Sequence, residues 1–484
     1  MRSSFFIYLA AVFVIGIFIA ATGQALFLLA GLVFVFWRRP RFLGLLGSLV
    51  LLAAFFYHQE ADAKIFTSNL YSRVGQVALG RALITEDIDP GGNYQSIIAV
   101  YLDSRGRRGE KFLLKLPAYP RYQAGEIVSF SGVWERPENW SDFRYDRYLA
   151  RHEIYALLNF PKTEKVGELK GFLFSVWHFK RKLYRQIISF LPEPEAGLAA
   201  ALILGYRQTI KAADKTLFSE TGLSHLIAIS GAHLSLLAGM FFLLLKSLRI
   251  SRRHASSLVI IFLWFYVILT GLSSSALRSA LMSSLILSGV GKRWHLSSGS
   301  LLLFCAVLML LNNPLLLRDD LGFQLSYLAM LALIYGQPLA AARFGKGPIR
   351  SLLILTILAQ LLTWPVLALN FGRVSLVAPV ANLLVASLFA YLLPLLFFNV
   401  LFSFFSPIPV LWVGAYLLLN YIFLVSRLLA SFPLSSVAVS ISPFAAGVYY
   451  FFLLFVYWRL KKKSTFKKSP QLEDFLDQFK NYLN

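Results

Sequence analysis

The sequence predicts an α-helical polytopic membrane protein of about 12 spans with one small extracytoplasmic β-barrel inserted near its N-terminal end. Three observations carry this. The 484 residues are 57% hydrophobic and only 15% charged, with a mean hydropathy of +0.64. A soluble domain is roughly 45–50% apolar and about a quarter charged, so a soluble multi-domain enzyme and a disordered chain are both excluded. The basic excess of +23 is concentrated outside one polar block: residues 58–222 hold 23 basic and 19 acidic groups, the rest 24 and 5. Lys and Arg retained in short connectors orient a membrane protein, so the net charge alone is not evidence for nucleic acid. Finally, one stretch of about 100 residues breaks the apolar pattern with alternating, β-branched and aromatic runs.

Three apolar segments open the chain, at 5–21, 24–37 and 42–57. Hydrophobicity continues past Ala21 with no A-x-A cleavage signal, so these read as retained helices rather than a leader. Arg38, Arg39 and Arg41 place the loop between the second and third on the cytoplasmic side. The N-terminus is then inside, and the chain after Tyr57 emerges outside.

Strands are expected at 73–85, 94–103, 111–116, 126–134 and 154–160, separated by turn signals such as Asp89-Pro90-Gly91-Gly92 and Ser104-Arg105-Gly106. Five short strands suit a small OB-like barrel, and a five-strand sandwich suits the same pattern. Residues 170–191 mix Trp177, Leu183, Ile187 and Phe190 with Lys180, Arg181, Lys182 and Arg185. That is the composition of an interfacial amphipathic helix or of a helix packed on the barrel.

Nine further spans are expected near 223–245, 256–271, 275–290, 299–311, 321–340, 351–369, 376–400, 410–427 and 443–458. Counting sides from an outer β domain puts Lys246/Arg249/Arg252/Arg253, Lys292/Arg293, Arg343/Lys346/Arg350 and Arg459/Lys461/Lys462/Lys463 inside. The outer connectors carry only Arg318, beside Asp319 and Asp320, and Arg373. The expected organisation is therefore N-terminal helices (1–58), an extracytoplasmic OB-like domain (63–165), amphipathic linkers (170–220), a transmembrane channel domain (221–460) and a basic cytoplasmic tail (461–484).

Polar groups inside spans are costly and gather at bundle interiors or wet paths. TGLSHLIAISGAHLSLLAGM (221–240) places His225 and His233 about 80° apart on a helix. Ser230 and several glycines and alanines beside them permit close helix approach. LTGLSSSALRSALM (269–282) places Arg278 in a span, at about 2.5–3.5 kcal/mol of insertion cost, so it either snorkels to the surface or pairs with a carboxylate such as Asp319 or Asp320, a helix C-terminus or an anionic substrate. Gln324, Gln360, Asn370 and Asn382 are amides in apolar helices, and Pro365 and Pro379 free backbone carbonyls. Each of these also reads as interhelical glue. In the β domain, Trp134, Trp140, Phe143, Tyr145 and Tyr148 alternate with Arg136, Arg144, Arg147 and Arg151, the mixture a single strand of DNA recognises, diluted by Glu135, Glu138, Asp142, Asp146 and Glu153. No P-loop, nucleophile elbow or metalloenzyme histidine cluster occurs, so no enzyme activity, cofactor or metal is expected. The one cysteine, Cys305, excludes an intramolecular disulfide.

Taken in order, these segments resemble the ComEC family of competence proteins. The run is ALILGYRQTI, LFSETGLSHLIAISGAHLSLLAGM, LTGLSSSALRSALM, NPLLLRDDLGFQLSYLAML and AQLLTWPVLALNFGRVSLVAPVANLL, preceded by GEIVSFSGVWERPEN and FRYDRYLARHEIYALL. The resemblance implies an inner-membrane channel importing single-stranded DNA during natural transformation, with an OB-like outer domain that binds DNA. It implies an outer DNA receptor and a cytoplasmic ATPase motor as partners, besides membrane lipids. Many members carry a C-terminal metallo-β-lactamase-like domain whose motif is not found in these 484 residues, so a separate nuclease is a further expected partner. His225, Ser230, His233, Arg278, Gln324 and Asn382 are the channel candidates, and Arg136, Trp140, Arg144, Arg147 and Arg151 the DNA-contact candidates. Two other functions stay open: transport of another anionic polymer or lipid-linked solute, and a non-transporting membrane scaffold.

Overall fold

A computed structural model describes residues 2–22, 41–86, 94–139, 144–289, 297–344 and 347–463. The expected span at 24–37, Trp140 and the tail beyond Lys463 lie outside the described residues. The chain forms two compact units: Met1–Lys182 with Leu303–Phe323, and Leu183–Leu302 with Gln324–Asn484.

In the first unit, helices α1 (Arg2–Thr22) and α2 (Arg41–Thr67) pack through Val12, Ile19 and Leu51. Gly16 permits this, because a Cβ there would lie 2.6 Å from the Leu51 carbonyl oxygen. The β domain follows as β1 (Val77–Ile84), β2 (Tyr94–Leu102), β3 (Arg108–Pro117), β4 (Glu126–Val133), helix α3 (Tyr145–Ala150), β5 (Ile154–Asn159) and β6 (Lys162–Glu168). The six strands form one sheet in the order β5-β3-β2-β1-β4-β6, with β3 and β5 parallel and the other pairs antiparallel. Beyond β4, Glu135 exchanges both backbone hydrogen bonds with Leu157 of β5, at 2.9 and 3.0 Å. Alternate residues point inward to a core of Ile97, Ala99, Leu114, Val128 and Leu158 around the rings of Phe112, Phe130 and Trp134, whose centroids lie 5.0–5.8 Å apart. Trp134 is therefore a core residue.

The five expected strands are present; β6 is an addition. Its sequence, KTEKVGE, is polar because it is an edge strand facing water, so no apolar alternation marks it. Helix α4 (Phe172–Phe190) begins by packing Phe174 and Trp177 against Leu83, Leu102 and Ala124, and Arg181 donates to the Tyr122 carbonyl at 3.0 Å. Of the two expectations for this segment, its first half follows the helix packed on the β domain.

The second unit contains α5 (Glu195–Leu204), α6 (Ala212–Glu220), α7 (Gly231–Ser247), α8 (Arg252–Leu269) and α9 (Ser274–Ser288). Helices α10 (Ser298–Asn312) and α11 (Leu321–Leu331) each run across a boundary between the two units. The second unit continues with α12 (Gln337–Phe344), α13 (Pro348–Phe371), strand β7 (Arg373–Ser375), α14 (Ala378–Phe402), α15 (Val410–Ala430), strand β8 (Ser436–Ala438) and α16 (Pro443–Lys463). Strands β7 and β8 pair antiparallel. Among the described residues, six helices are long and apolar enough to cross a membrane, within α1, α8, α13, α14, α15 and α16.

Several expected spans are shorter or interrupted. The stretch expected as one span at 223–245 is a single turn, Ser224–Ile227, followed by a break at which Ser230 caps the 17-residue α7. The stretch at 321–340 is interrupted by a π-helical turn, Ala332–Gly336. In α13, Pro365 lacks the N–H that the Leu361 carbonyl would accept. That carbonyl accepts from the Tyr449 hydroxyl at 3.0 Å, and the next one, of Leu362, accepts from Tyr450 at 2.8 Å. Two consecutive tyrosines of α16 thus serve consecutive carbonyls of α13 one turn before Pro365.

Candidate functional site

The polar groups of the second unit meet where α7, α9, α11 and α14 approach one another. Ser230, in extended conformation, is the N-cap of α7 and forms a reciprocal capping box with His233. The Ser230 backbone N–H donates to His233 Nδ1 at 3.1 Å, and the Ser230 hydroxyl lies 2.9 Å from the same nitrogen. Gly231 follows in a tight place: a Cβ would sit 3.0 Å from Ser279 Oγ and 3.2 Å from Arg278 Nη2, closer than ordinary contact. The start of α7 is therefore pressed against the guanidinium of α9.

Arg278 is 5% exposed. Its Nε donates to Ser326 Oγ of α11 at 2.8 Å, its Nη1 to Met282 Sδ at 3.5 Å, and its guanidinium lies 6.0 Å from the Tyr327 ring centre. Gln324 lies one turn before Tyr327 on the same side of α11. His233 is 1% exposed and meets Phe389 of α14 edge-on, with ring centres 4.7 Å apart. Asn382 lies two turns before Phe389 on α14. His225 stands apart in the turn before α7; it is exposed and bonds its own Gly222 carbonyl at 3.1 Å. Three of the six channel candidates (Ser230, His233 and Arg278) thus meet in the cluster, Gln324 and Asn382 are on contributing helices, and His225 lies in the turn before α7. Chemically, the cluster offers a fixed positive charge and neutral hydrogen-bonding groups within an apolar bundle. Those groups suit an anion or water better than a cation. Among the described residues, no three His, Cys, Asp or Glu side chains stand together to hold a metal.

The arginines of the β domain have specific partners in the first unit. Arg144 grips Asp146 through Nε and Nη2 at 3.0 and 2.7 Å. Arg147 lies 3.7 Å from Asp62 and 4.0 Å from Asp319. Arg151 pairs with Asp320 at 3.0 Å and covers the Tyr148 ring at 4.2 Å. Arg136 is exposed and lies over the Tyr71 ring at 4.8 Å. Arg318 completes the network, donating to Asp62 at 2.6 Å and to Asp319 at 3.0 Å. Burial pushes the Asp319 carboxyl up from the usual range, and the neighbouring Arg318 charge opposes that. Asp320 also accepts the Phe323 N–H at 2.9 Å, and Asn313 donates to the Arg151 carbonyl at 2.7 Å. Arg147 and Arg151 are thus held in a partly buried ionic lock joining α2, α3 and the 313–320 segment.

Ser279, Ser326, Tyr327 and Phe389, which complete the polar cluster, were not among the residues singled out from sequence. Serines within apolar helices are a weak signal for such partners, and nothing local to Ser326 points across the 48 residues to Arg278.

The family model described as "Competence protein" matches residues 202–463, more than half of the chain and all four helices of the polar cluster. ComE operon protein 3 of Bacillus subtilis (strain 168) is 30% identical over 275 residues, covering 56% of this chain and 35% of that relative. The chain thus matches about a third of the length of this curated relative. No solved structure matches. From the match over residues 202–463 and the ordered polar segments it contains, the chain belongs to the ComEC family of competence proteins.

Proposed function

We propose that this protein conducts single-stranded DNA across the bacterial inner membrane during natural transformation. The observation that carries the reading is Arg278, a buried cation at the meeting point of α7, α9 and α11, within the segment that the competence family model matches. A charged side chain within a span is costly and marks substrate or ion pathways. A polyphosphate strand passing the guanidinium is held there by charge-assisted hydrogen bonds.

In this reading the β domain is an extracytoplasmic OB-like barrel that receives the strand. Its support is the strand order β5-β3-β2-β1-β4, the parallel β3–β5 pair and the Glu135–Leu157 bridge, by which the end of β4 reaches β5. The distribution of Lys and Arg supports cytoplasmic termini. The shorter apolar helices α7 and α10, added to the six long ones, give eight apolar helices among the described residues toward the proposed bundle of about 12 spans. The conduit contributes no chemistry of its own. An outer DNA receptor, a cytoplasmic ATPase and a separate nuclease are its proposed partners.

The test is uptake of labelled DNA by a deletion strain of a transformable host, complemented with the intact chain or with Arg278→Ala at matched membrane abundance. Restoration by the intact chain and its loss with Arg278→Ala is the expected result. Full uptake with Arg278→Ala refutes a conducting role for the cluster and returns the chain to a scaffold. If abundant intact protein restores nothing, the DNA conduit reading fails for this chain and transport of another anionic substrate takes its place.

A further inference from the structure

The His233 ring has a defined protonation pattern. A backbone N–H can only donate, so Nδ1, which receives the Ser230 N–H at 3.1 Å, is the unprotonated nitrogen. The neutral ring then carries its hydrogen on Nε2. That Nε2–H is buried and meets no acceptor among the described residues. Across from it, Ala378, Asn382, Val385 and Phe389 recur at spacings of four, three and four, which puts them on one face of α14. This face touches the α7 region at both ends. Ala378 abuts Gly222, where a Cβ would collide with the Ala378 methyl group, and Phe389 abuts His233. Asn382 lies between, roughly 10 Å along the axis from Phe389. Its Oδ1 is buried and has no donor among the described residues.

An orphan donor and an orphan acceptor on facing elements are unfavourable unless a guest serves both. We propose that the seam between the α7 region and α14 is a hydrated hydrogen-bonding station, with His233 Nε2–H as its fixed donor and Asn382 Oδ1 as its acceptor. In the resting protein water serves both groups, because each is a buried polar atom that otherwise lacks a partner among the described residues. During transfer a phosphate oxygen of the strand takes the His233 proton donor, and a base amino group donates to Asn382. The identity of this second guest rests on the proposed conduit function; the water does not. The station also conducts no proton through the ring, because protonating Nδ1 would break the bond from Ser230 that caps α7.

The test uses the full chain in native membrane vesicles. Its one natural cysteine, Cys305, is fully buried, so an introduced thiol reports alone. Asn382→Cys is exposed to a small, charged, water-soluble methanethiosulfonate, with Tyr391→Cys on the outward face of the same helix as comparison; Tyr391 is 72% exposed. Hydration of the seam predicts modification at 382 and much slower modification at 391, where a thiol in lipid does not ionise. A single-stranded oligonucleotide then slows labelling at 382, and His233→Asn, which keeps an acceptor for the cap but whose amide N–H groups stop short of the Nε2 position, weakens that protection about fivefold. If position 382 is as unreactive as 391 in folded, abundant protein, the hydrated station is wrong. If 382 is labelled but the oligonucleotide does not protect it, the water stands and the strand is overturned as guest.

Discussion

The pairing of Tyr449 with the Leu361 carbonyl gives a prediction that separates a specific bond from general packing. Pro365 removes the N–H that would close the helical turn on Leu361, and Tyr449 supplies a hydroxyl instead, at 3.0 Å. Tyr449→Phe keeps the ring and deletes that donor. Hydrogen bonds between membrane helices average about 0.6 kcal/mol and reach about 1.7. A carbonyl whose usual helical donor is replaced by proline belongs in the upper half of that range, so the substitution is expected to cost about 1 kcal/mol. Pro365→Ala restores the N–H to Leu361 and makes the hydroxyl redundant. In that background Tyr449→Phe costs close to nothing, a coupling of about 1 kcal/mol in a double-mutant cycle. Tyr450→Phe is the internal control: its acceptor, Leu362, is not the carbonyl that Pro365 orphans, so its cost persists after Pro365→Ala. Reversible unfolding of the purified chain in mixed micelles measures all three. Equal costs for Tyr449→Phe in both backgrounds would refute the assignment and leave the tyrosine a packing residue.

Two other predictions concern the first unit. Asp320→Asn keeps an oxygen for the Phe323 N–H but loses the charge facing Arg151, at an expected cost of about 2–3 kcal/mol for a mostly buried pair; Asp320→Ala also loses the cap and costs about 1 kcal/mol more. Thermal unfolding of the two variants should keep that order, and equal midpoints would show that the cap contributes nothing. In the β2–β3 turn, Asp103 accepts the backbone N–H groups of Arg105 and Arg107, and the bond from Arg107 leads in holding its carboxyl below the usual aspartate range. Its stabilising contribution is present above the ordinary aspartate value and is lost as pH falls through the lowered one. Amide exchange at Arg107, corrected for intrinsic rate, should therefore lose protection on acidification in the natural chain, while Asp103→Asn should show little further change.

What was legible in the sequence was whatever a single element declares by itself. The polytopic character follows from composition, and the five apolar strands follow from alternation that their shared core demands. Strand β6 was not legible, because KTEKVGE is set by pairing with β4 and not by its own pattern. The break before α7 has local signs, Gly222 at φ +72° and the cap Ser230, but averaged hydropathy hides them in a continuous apolar run. For Arg278 the need for a partner was readable from the cost of a charge in a span, whereas Ser326 as one partner was not. Arg147 and Arg151 show the same limit. Beside tyrosines they read as a nucleic-acid surface, yet their carboxylates come from Asp62, Asp319 and Asp320, all distant in the chain. His233 and Asn382 stood out as polar residues in apolar helices, but only the register of α14 puts them on opposite sides of one seam.

In the proposed conduit a DNA strand passes the polar cluster of α7, α9, α11 and α14, beside His233 and Phe389. The most direct test places a photo-crosslinking phenylalanine analogue at Phe389, which packs on His233, and at Phe451, which is 75% exposed on α16. Labelled DNA is then arrested during uptake in living cells and the sample is illuminated. Cross-links to single-stranded DNA at 389 and none at 451 are the predicted result. Uptake that proceeds normally while position 389 stays free of DNA, or links no more than 451, would contradict passage through this seam.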